Sequence, residues 1–252
     1  MTPRGVSAAI EDYLKAVYDL GGTGVKTQDL ADALRVSAAS VSGMLKKLGE
    51  LNLVTTERYR GTSLTAAGQR VALETLRHHR LIETYLAEAL GYDWHDVHDE
   101  AERLEHVISE DFEARIAELL GHPSFDPHGD PIPGPDGSLP ESGGVPLSDL
   151  PVGLRARLTR ITDQRREVLV YLAEQGLRPG AAVTVAAHAP FGGPVTVAAN
   201  GREVALALDL AASLYAAAVT DTPENDTPEK DTPRVDKPEN DAPELDTSAP
   251  PS

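Results

Sequence analysis

The sequence predicts an α+β protein with an N-terminal winged helix-turn-helix, a helical middle region and a small mixed or β domain near the C-terminus. Three observations support this fold class. Two short amphipathic helices with a tight break between them precede a hairpin in the first 65 residues, two longer helical patterns run from 66 to 120, and strand patterns recur after residue 152. A chain of 252 residues has room for two to three such domains.

Charge is distributed unevenly along the chain. The 40 Asp and Glu outnumber the 23 Lys and Arg, yet residues 1–80 carry a net charge of +3 while residues 81–150 carry −15. Because DNA affinity depends on the local surface, the overall charge of −17 does not exclude a DNA-binding first region. The chain has no Cys, which excludes disulfides, thiolate metal sites and a Cys nucleophile.

The first region follows the order helix, turn, helix and wing. Apolar spacing and turn residues predict helices over 6–20, 28–34 (with Thr27 as N-cap) and 37–51, and strands over 54–57 and 62–65. Small and hydroxyl residues open the last helix, which suits close entry into the major groove. The residues expected to contact DNA are Thr27, Ser37, Ala39, Ser40, Ser42, Lys47 and Arg60. An ordinary helix pair with a polar outer face is the alternative.

In the next region the sequence pattern predicts helices over 66–90 and 96–120. The second of these helices carries a candidate metal-binding face. Helix positions i, i+4, i+7 and i+8 share one side, so His98, Glu102, Glu105 and His106 would converge there. His79 and Glu83 form an earlier i, i+4 pair. Two imidazoles beside two carboxylates can bind a divalent cation, whereas a solvated helix face is the alternative.

The rest of the chain changes in composition. Pro and Gly crowd residues 122–151, which predicts a linker or irregular loop. Strand patterns follow over 182–187, 195–199 and 204–208, with Asn200-Gly201 as a hairpin turn. From Asp221 a Pro recurs in each five-residue repeat, so 220–252 is expected to be a disordered acidic tail.

Several of these motifs together resemble the diphtheria toxin repressor family of metal-dependent transcriptional regulators, over about residues 1–218. The resemblance rests on Ile10-Glu11-Asp12-Tyr13-Leu14, the helix-turn-helix, Tyr59-Arg60-Gly61, His79-Arg80-Leu81, the run 97–107 and the run 127–134. It implies a winged helix-turn-helix DNA-binding domain over 1–73, a helical metal-binding and dimerisation domain over 74–140, a linker over 141–151, an SH3-like (FeoA-like) domain over 152–219 and the tail over 220–252.

The same resemblance implies two metal sites. The primary site would use Asp12, Glu102, Glu105 and His106. The ancillary site would use His79, Glu83 and His98, together with Asp163 from the SH3-like domain, for which Gln164 and Glu167 are rivals.

Two departures bear on the metal. Iron-type members typically carry Met and Cys where this chain has Asp12 and Glu102, whereas manganese-type members carry the carboxylates. Oxygen ligands with one imidazole suit Mn²⁺ and tolerate Fe²⁺, so either is the expected co-repressor. Lys15 stands where manganese-type members often have a Glu that helps hold a second metal, which leaves the number of metals open.

These features predict a repressor whose DNA binding is gated by Mn²⁺, acting on metal-transport genes. The expected partners are a second copy of the chain and a pseudo-palindromic double-stranded operator, because one module rarely suffices. An Fe²⁺-dependent regulator of iron-uptake genes is the main alternative. A winged-helix sensor of an organic ligand is disfavoured because only 4% of residues are aromatic. A metal-dependent hydrolase is disfavoured because no substrate-binding signature accompanies the ligands, so no enzymatic activity is expected.

A cytoplasmic protein without a membrane span is also expected. Residues 1–12 have no apolar signal core. The most apolar stretch, 204–219, is interrupted by Asp209 and is too short to span a bilayer.

Overall fold

The computed structural model describes residues 6–219, so the predicted tail over 220–252 lies outside the described residues, as do residues 1–5. The predicted fold class is confirmed, with a winged helix-turn-helix, a helical domain and a C-terminal antiparallel sheet in that order. Residues 6–219 belong to one compact unit. No helix in residues 6–219 is long and apolar enough to cross a membrane.

The first domain contains three helices and a two-stranded hairpin. They are α1 (Ala8–Asp19), α2 (Thr27–Leu34), α3 (Ala38–Glu50), β1 (Val54–Glu57) and β2 (Gly61–Leu64). The helix predicted over 28–34 begins one residue earlier, so Lys26 rather than Thr27 is its N-cap. Arg35 adopts a left-handed conformation that ends α2, and the Ser37 hydroxyl then caps α3 by accepting from the Ser40 amide at 3.1 Å. Leu14 and Leu48 are fully buried in the core between these helices.

The middle domain contains α4 (Ala66–Glu88), α5 (His98–Leu104) and α6 (Glu110–Leu119). The prediction of one continuous helix over 96–120 is wrong. The α5 helix ends at Leu104, and Ser109 starts α6 by accepting a hydrogen bond from the Phe112 amide at 3.2 Å. A Ser N-cap followed by acidic residues in the first turn favours a new helix start over continuation. His106 therefore lies in the turn between the two helices.

The C-terminal domain is a six-stranded antiparallel sheet with strand order β3, β8, β4, β5, β6, β7. The strands are β3 (Val145–Pro146), β4 (Arg155–Ile161), β5 (Ala182–His188), β6 (Val195–Ala199), β7 (Arg202–Leu206) and β8 (Leu214–Ala218), with α7 (Arg166–Glu174) and α8 (Leu208–Ser213) between them. The Asn200-Gly201 turn is confirmed, since both residues have positive φ between β6 and β7.

The sheet begins inside the predicted linker 141–151. Pro146 pairs with Tyr215 of β8, and the Leu147 side chain that follows is completely buried in the core of the sheet domain. Apolar side chains that fill this core tie residues 145–150 to the domain, because their burial removes them from water. The Pro-rich composition of the segment had indicated only an irregular connection.

Residues 126–130 form a loop that joins the middle domain to the sheet. The Ile161 amide at the end of β4 donates to the His128 carbonyl at 2.9 Å. Gly129 has φ +86°, and a Cβ at this position would lie 2.0 Å from the Thr159 carbonyl oxygen. Only glycine therefore allows the loop to approach β4 this closely.

Candidate metal centres and DNA interface

The residues predicted to contact DNA lie on one N-terminal module. Ser37, Ala39, Ser40, Ser42 and Lys47 are exposed along α3 or at its start, Arg60 is exposed in the wing, and Thr27 is half-buried at the start of α2. The wing also presents Tyr59, whose side chain is 90% exposed and lies against the Arg58 guanidinium. The sequence analysis names Tyr59 only within the Tyr59-Arg60-Gly61 motif and not among the residues expected to contact DNA.

The serines of α3 already have partners within the helix. Ser37 and Ser40 hydroxyl oxygens are 2.9 Å apart, and the Ser42 hydroxyl donates to the Ala38 carbonyl at 2.9 Å. Each hydroxyl oxygen can still accept a hydrogen bond, but its rotation is restricted. Gly43 leaves open space beside the helix, since a Cβ there would meet no atom within 4 Å.

The predicted primary residues come together where α1 meets the end of α5. Nε2 of His106 is 2.8 Å from Oδ1 of Asp12 and 3.3 Å from Oε1 of Glu105. Ligand atoms of these three residues lie within 4.8 Å of one another. The structure also brings in Glu11, whose carboxylate is 2.6 Å from Nδ1 of His106 and orients the ring.

Glu102, the fourth predicted primary residue, lies on the outer side of this cluster. Its carboxylate is 43% exposed and 2.7 Å from the Lys15 ammonium, which also lies 2.6 Å from Oε1 of Glu105. Sequence reasoning identified Lys15 as a departure from the manganese-type pattern but not as an ion-pair partner of two predicted ligands. The sequence signal that points to this ion pair is the i, i+3 spacing of Asp12 and Lys15, which places both residues on one face of α1.

His79 links the primary and ancillary groups. Its Nδ1 contacts the Glu105 carboxylate, while its Nε2 is 3.0 Å from Oε1 of Glu83 and 3.2 Å from Nδ1 of His98. His79 and Glu83 are buried one turn apart on α4, as their i, i+4 spacing predicts. The two predicted sites are therefore neighbours that share one imidazole.

Two further residues, Asp126 and His128, form a second group of possible ligands around Glu83, here called the second side of Glu83. Their ligand atoms and those of Glu83 lie within 4.8 Å of one another, and all three side chains are buried. Composition predicts only a linker or irregular loop over 122–151, so His128 is not among the predicted metal ligands. The Asp126 side chain caps the loop, since its Oδ1 accepts from the His128 and Asp130 amides at 2.8 and 2.9 Å.

The residues proposed from the SH3-like domain line the neighbouring cavities. His98, Asp163, Gln164 and Glu167 line one cavity, and Gln164 also lines the larger one that contains His79 and Glu83. The Asp163 carboxylate pairs with Arg165 at 2.7 Å, whereas Gln164 donates to Asp130 at 2.6 Å. Asp163 thus remains a prediction, and its rival Gln164 lines the same cavity as His79.

The protonation of the cluster follows from its crowding. Burial lowers the pKa of His79, but the Glu83 and Glu105 carboxylates outweigh it and raise that pKa to about 10. Burial raises the pKa of Glu83, but the charge of His79 and the other histidines around it hold that pKa well below its ordinary value. Burial and the charges of Glu83 and Asp130 raise the pKa of Asp126 to about 7. Cations that bind here must therefore displace protons.

The donor atoms fit a divalent metal ion. Oε2 of Glu83, Oδ2 of Asp126 and Nδ1 of His128 are buried without a hydrogen-bond partner among the described residues. Nε2 of His128 lies 2.8 Å from the Trp94 carbonyl oxygen, to which it donates, and such a bond typically orients a metal-binding imidazole. Oxygen and nitrogen donors without sulfur suit Mn²⁺ or Fe²⁺.

Comparison with known families covers the three domains in order. Residues 6–62 match the family described as iron dependent repressor, N-terminal DNA binding domain. Residues 65–134 match iron dependent repressor, metal binding and dimerisation domain, and residues 145–217 match the FeoA domain. The chain belongs to the iron-dependent repressor family, which includes the diphtheria toxin repressor. It is thus a member of a family of metal-dependent DNA-binding repressors, which are not enzymes.

Individual family members resemble the chain over most of its length. The iron-dependent repressor IdeR of Mycobacterium leprae is 33% identical over 215 residues, which cover 80% of this chain and 93% of IdeR. The diphtheria toxin repressor of Corynebacterium glutamicum is 33% identical over 214 residues, covering 80% of this chain and 92% of that repressor.

Solved structures of the family include manganese-dependent members. A manganese-dependent transcriptional repressor in complex with manganese has a TM-score of 0.77 and 38% identity, covering 83% of this chain and all of that one. ScaR with bound Zn²⁺ has a TM-score of 0.74 and 32% identity, covering 83% of this chain and 99% of ScaR. The family is therefore established, while its relatives differ in the metal that their names state.

Proposed function

We propose that the chain is a Mn²⁺-responsive repressor that binds pseudo-palindromic operators of metal-transport genes as a cytoplasmic homodimer. Asp12, Glu102, Glu105 and His106 would hold the primary cation. His79, Glu83 and His98 would hold the ancillary one, with Asp126 and His128 at the second side of Glu83 and Asp163 or Gln164 from the sheet domain. Ser37, Ala39, Ser40, Ser42, Lys47 and Arg60 would contact the operator, with Thr27 nearby.

The contact between Asp12 and His106 carries this proposal. Asp12 belongs to α1, whose other face packs in the core of the DNA-binding domain, whereas His106 follows α5 of the dimerisation domain. Residues of both domains therefore contribute to one donor set. A bound divalent cation would supply positive charge that draws these carboxylates and the imidazole together, which restricts the angle between the DNA-binding module and the dimer axis.

The protein's own residues define the rest of the mechanism. Glu11 orients His106, and His79 connects the primary carboxylate Glu105 to Glu83. With the module held at one angle in both subunits, the two α3 helices can reach successive major grooves. Thermodynamic linkage requires the cation and the operator to raise each other's affinity by the same factor.

Manganese is favoured over iron by the carboxylates Asp12 and Glu102 and by absence of Cys from the sequence. An Fe²⁺-dependent regulator of iron uptake is the second candidate, because relatives at 33% identity are named iron-dependent. Affinity alone does not separate the two metals, since both accept this donor set.

The test is fluorescence anisotropy with DNA from upstream of a manganese transporter gene, in Mn²⁺, in anaerobic Fe²⁺ and in EDTA. Tight binding only with Mn²⁺ supports the proposal, and equal binding in both metals supports the sensor without manganese selectivity. Asp12→Ala should abolish the metal stimulation while the dimer persists in sedimentation. Glu88→Ala, an exposed carboxylate at the end of α4, is the control. Metal stimulation retained in Asp12→Ala contradicts the mechanism.

A further inference from the structure

Lys15 places a positive charge among the predicted primary ligands. Its Nζ atom is 2.7 Å from Oε1 of Glu102 and 2.6 Å from Oε1 of Glu105. The Lys15 side chain is 13% exposed, and that of Glu105 is completely buried. This ion pair is thus largely shielded from the solvent screening that weakens surface pairs.

Lys15 forms an ion pair with the Glu105 oxygen that the proposed primary cation would also bind. Oε1 of Glu105 lies 2.6 Å from the Lys15 ammonium and 3.3 Å from Nε2 of His106, so it stands between the lysine and the Asp12–His106 pair. A carboxylate oxygen that accepts from an ammonium at this distance has its charge partly neutralised. An ammonium and a divalent ion on the same oxygen would also repel each other strongly in a poorly solvated pocket.

We infer that Lys15 is a built-in competing cation, which pairs with Glu102 and Glu105 in the metal-free protein, offsets part of their negative charge and must leave them when a divalent ion binds. This inference rests on the proposed function, because it assigns Glu102 and Glu105 to the primary site. Lys15 thereby sets the metal concentration at which the site fills. Part of the negative charge of the pocket is already offset before metal binds, so the cation gains only the difference between its own attraction to these carboxylates and that of the lysine.

The surroundings of Lys15 contain both space and a second carboxylate for its displaced ammonium group. Lys15, Asp19 and Glu102 line a cavity of about 1130 Å³ beside the cluster. Asp19 lies one helical turn beyond Lys15 on α1 and can accept the displaced ammonium at i, i+4 spacing. The flexible four-carbon stem of lysine allows this movement without any shift of the α1 backbone.

The first test measures Mn²⁺ affinity. Lys15→Met removes the charge and keeps the length of the side chain, so the tightest Mn²⁺ equivalent, followed by the electron paramagnetic resonance of free Mn²⁺, should bind at least tenfold more tightly than in the wild type. Lys15→Arg keeps the charge and should remain within about threefold of wild type. Lys26→Met, which removes an exposed lysine before α2, is the control. Thermal melts followed by circular dichroism establish that each variant folds.

The second test measures the reactivity of the Lys15 amine with and without metal. Acetylation of the wild-type protein, read residue by residue by mass spectrometry, should be at least fivefold faster at Lys15 with Mn²⁺ than with EDTA, while Lys26 keeps its rate. Unchanged or weaker Mn²⁺ binding by Lys15→Met would overturn the inference, as would unchanged or slower acetylation of Lys15 in Mn²⁺. If Lys15→Met binds Mn²⁺ more tightly but Mn²⁺ does not change the affinity for DNA, the competition between Lys15 and the cation is supported and the proposed function is refuted. If the wild type binds no Mn²⁺, both fail.

Discussion

The carboxylate of Glu83 faces the imidazole of His128 in the protein interior, with Oε2 and Nδ1 3.6 Å apart. Because the opposite nitrogen of His128 donates to the Trp94 carbonyl, a neutral imidazole presents its lone pair to Glu83. Two lone pairs that face each other across a buried gap are stabilised by a proton or a metal ion between them.

We expect His128→Gln to weaken Mn²⁺ binding at the ancillary site by at least tenfold, because loss of a ligand or of a group that orients one typically weakens metal affinity about 10–100-fold. The primary equivalent should keep its affinity. Equilibrium dialysis with metal analysis measures both. His122→Asn is the control, since His122 is exposed and has a positive φ that Asn tolerates. Equal stoichiometry and affinity in all three proteins would leave His128 with a structural role only.

The open space beside Gly43 predicts that stability and DNA binding can be separated. Gly43→Leu should stabilise the free protein by about 0.5–1 kcal/mol, since glycine is a poor helix former. It should also weaken operator binding at least tenfold, because the new side chain would hold α3 away from the groove. Gly49→Leu lies on the same helix with equally open space and is the control. Thermal melts and anisotropy measure the two effects, and operator binding equally strong in both variants would contradict the α3 interface.

Glu113 ties α6 to α4 by an ion pair with Arg77 at 2.5 Å and a contact with His78 at 3.2 Å. Burial raises the pKa of Glu113, but hydrogen bonds from His78 and Arg77 outweigh it and lower the pKa below 4.5. The carboxylate therefore stabilises the fold at neutral pH, and this contribution disappears as the pH falls through its folded pKa.

Glu113→Gln should accordingly reduce the free energy of unfolding by about 2 kcal/mol at pH 7. The difference from the wild type should shrink below about pH 4.5, where the unfolded carboxyl binds a proton. Urea unfolding at both pH values and a fixed protein concentration measures it. Glu118→Gln, an exposed carboxylate on the same helix, should change stability little at either pH. A deficit for Glu113→Gln that does not depend on pH would refute the electrostatic explanation.

Gly129 should tolerate no side chain. In Gly129→Ala the new Cβ would lie 2.0 Å from the Thr159 carbonyl, so the loop must move away from β4. We expect a loss of about 1–3 kcal/mol in stability and weaker ancillary metal binding, because Asp126 and His128 belong to this loop. Unfolding and dialysis measurements test both. Gly153→Ala, which shares a positive φ but has no atom within 4 Å, separates backbone strain from the clash. Equal losses in the two variants would show that strain alone is responsible.

Local signals account for what the sequence could predict. The start of α3 near Ser37, the apolar stripes of α1 and α3 and the i, i+4 pair on α4 depend on residues a few positions apart, so the sequence pattern predicts them. The turn after Leu104 was missed because helical apolar spacing continues across it, although Ser109 before three acidic residues is a recognisable N-cap signal.

Long-range contacts account for what the sequence could not predict. Lys15 meets Glu105 across 90 positions of sequence, and His128 meets Glu83 across 45. Neither spacing carries a periodic signal, because tertiary packing alone decides which side chains face each other. Helical spacing grouped Glu102, Glu105 and His106, and the family resemblance added Asp12 to the predicted primary ligands. The ion pair of Lys15 and the contact between Glu83 and His128 became visible only in the folded chain.

The loop that carries His128 and Asp130 depends on the third domain for its own partners. Gln164 donates to Asp130, Arg160 pairs with the same carboxylate, and the Ile161 amide donates to the His128 carbonyl. Strand β4 thus supports the loop that carries two of the residues proposed to bind metal, Asp126 and His128. The loop therefore keeps these partners only when the sheet domain is present. In a chimaera with another domain in this place, the residues that contact the loop would have to be redesigned as well. The domains follow one another in sequence, but in the folded chain the loop depends on the sheet domain.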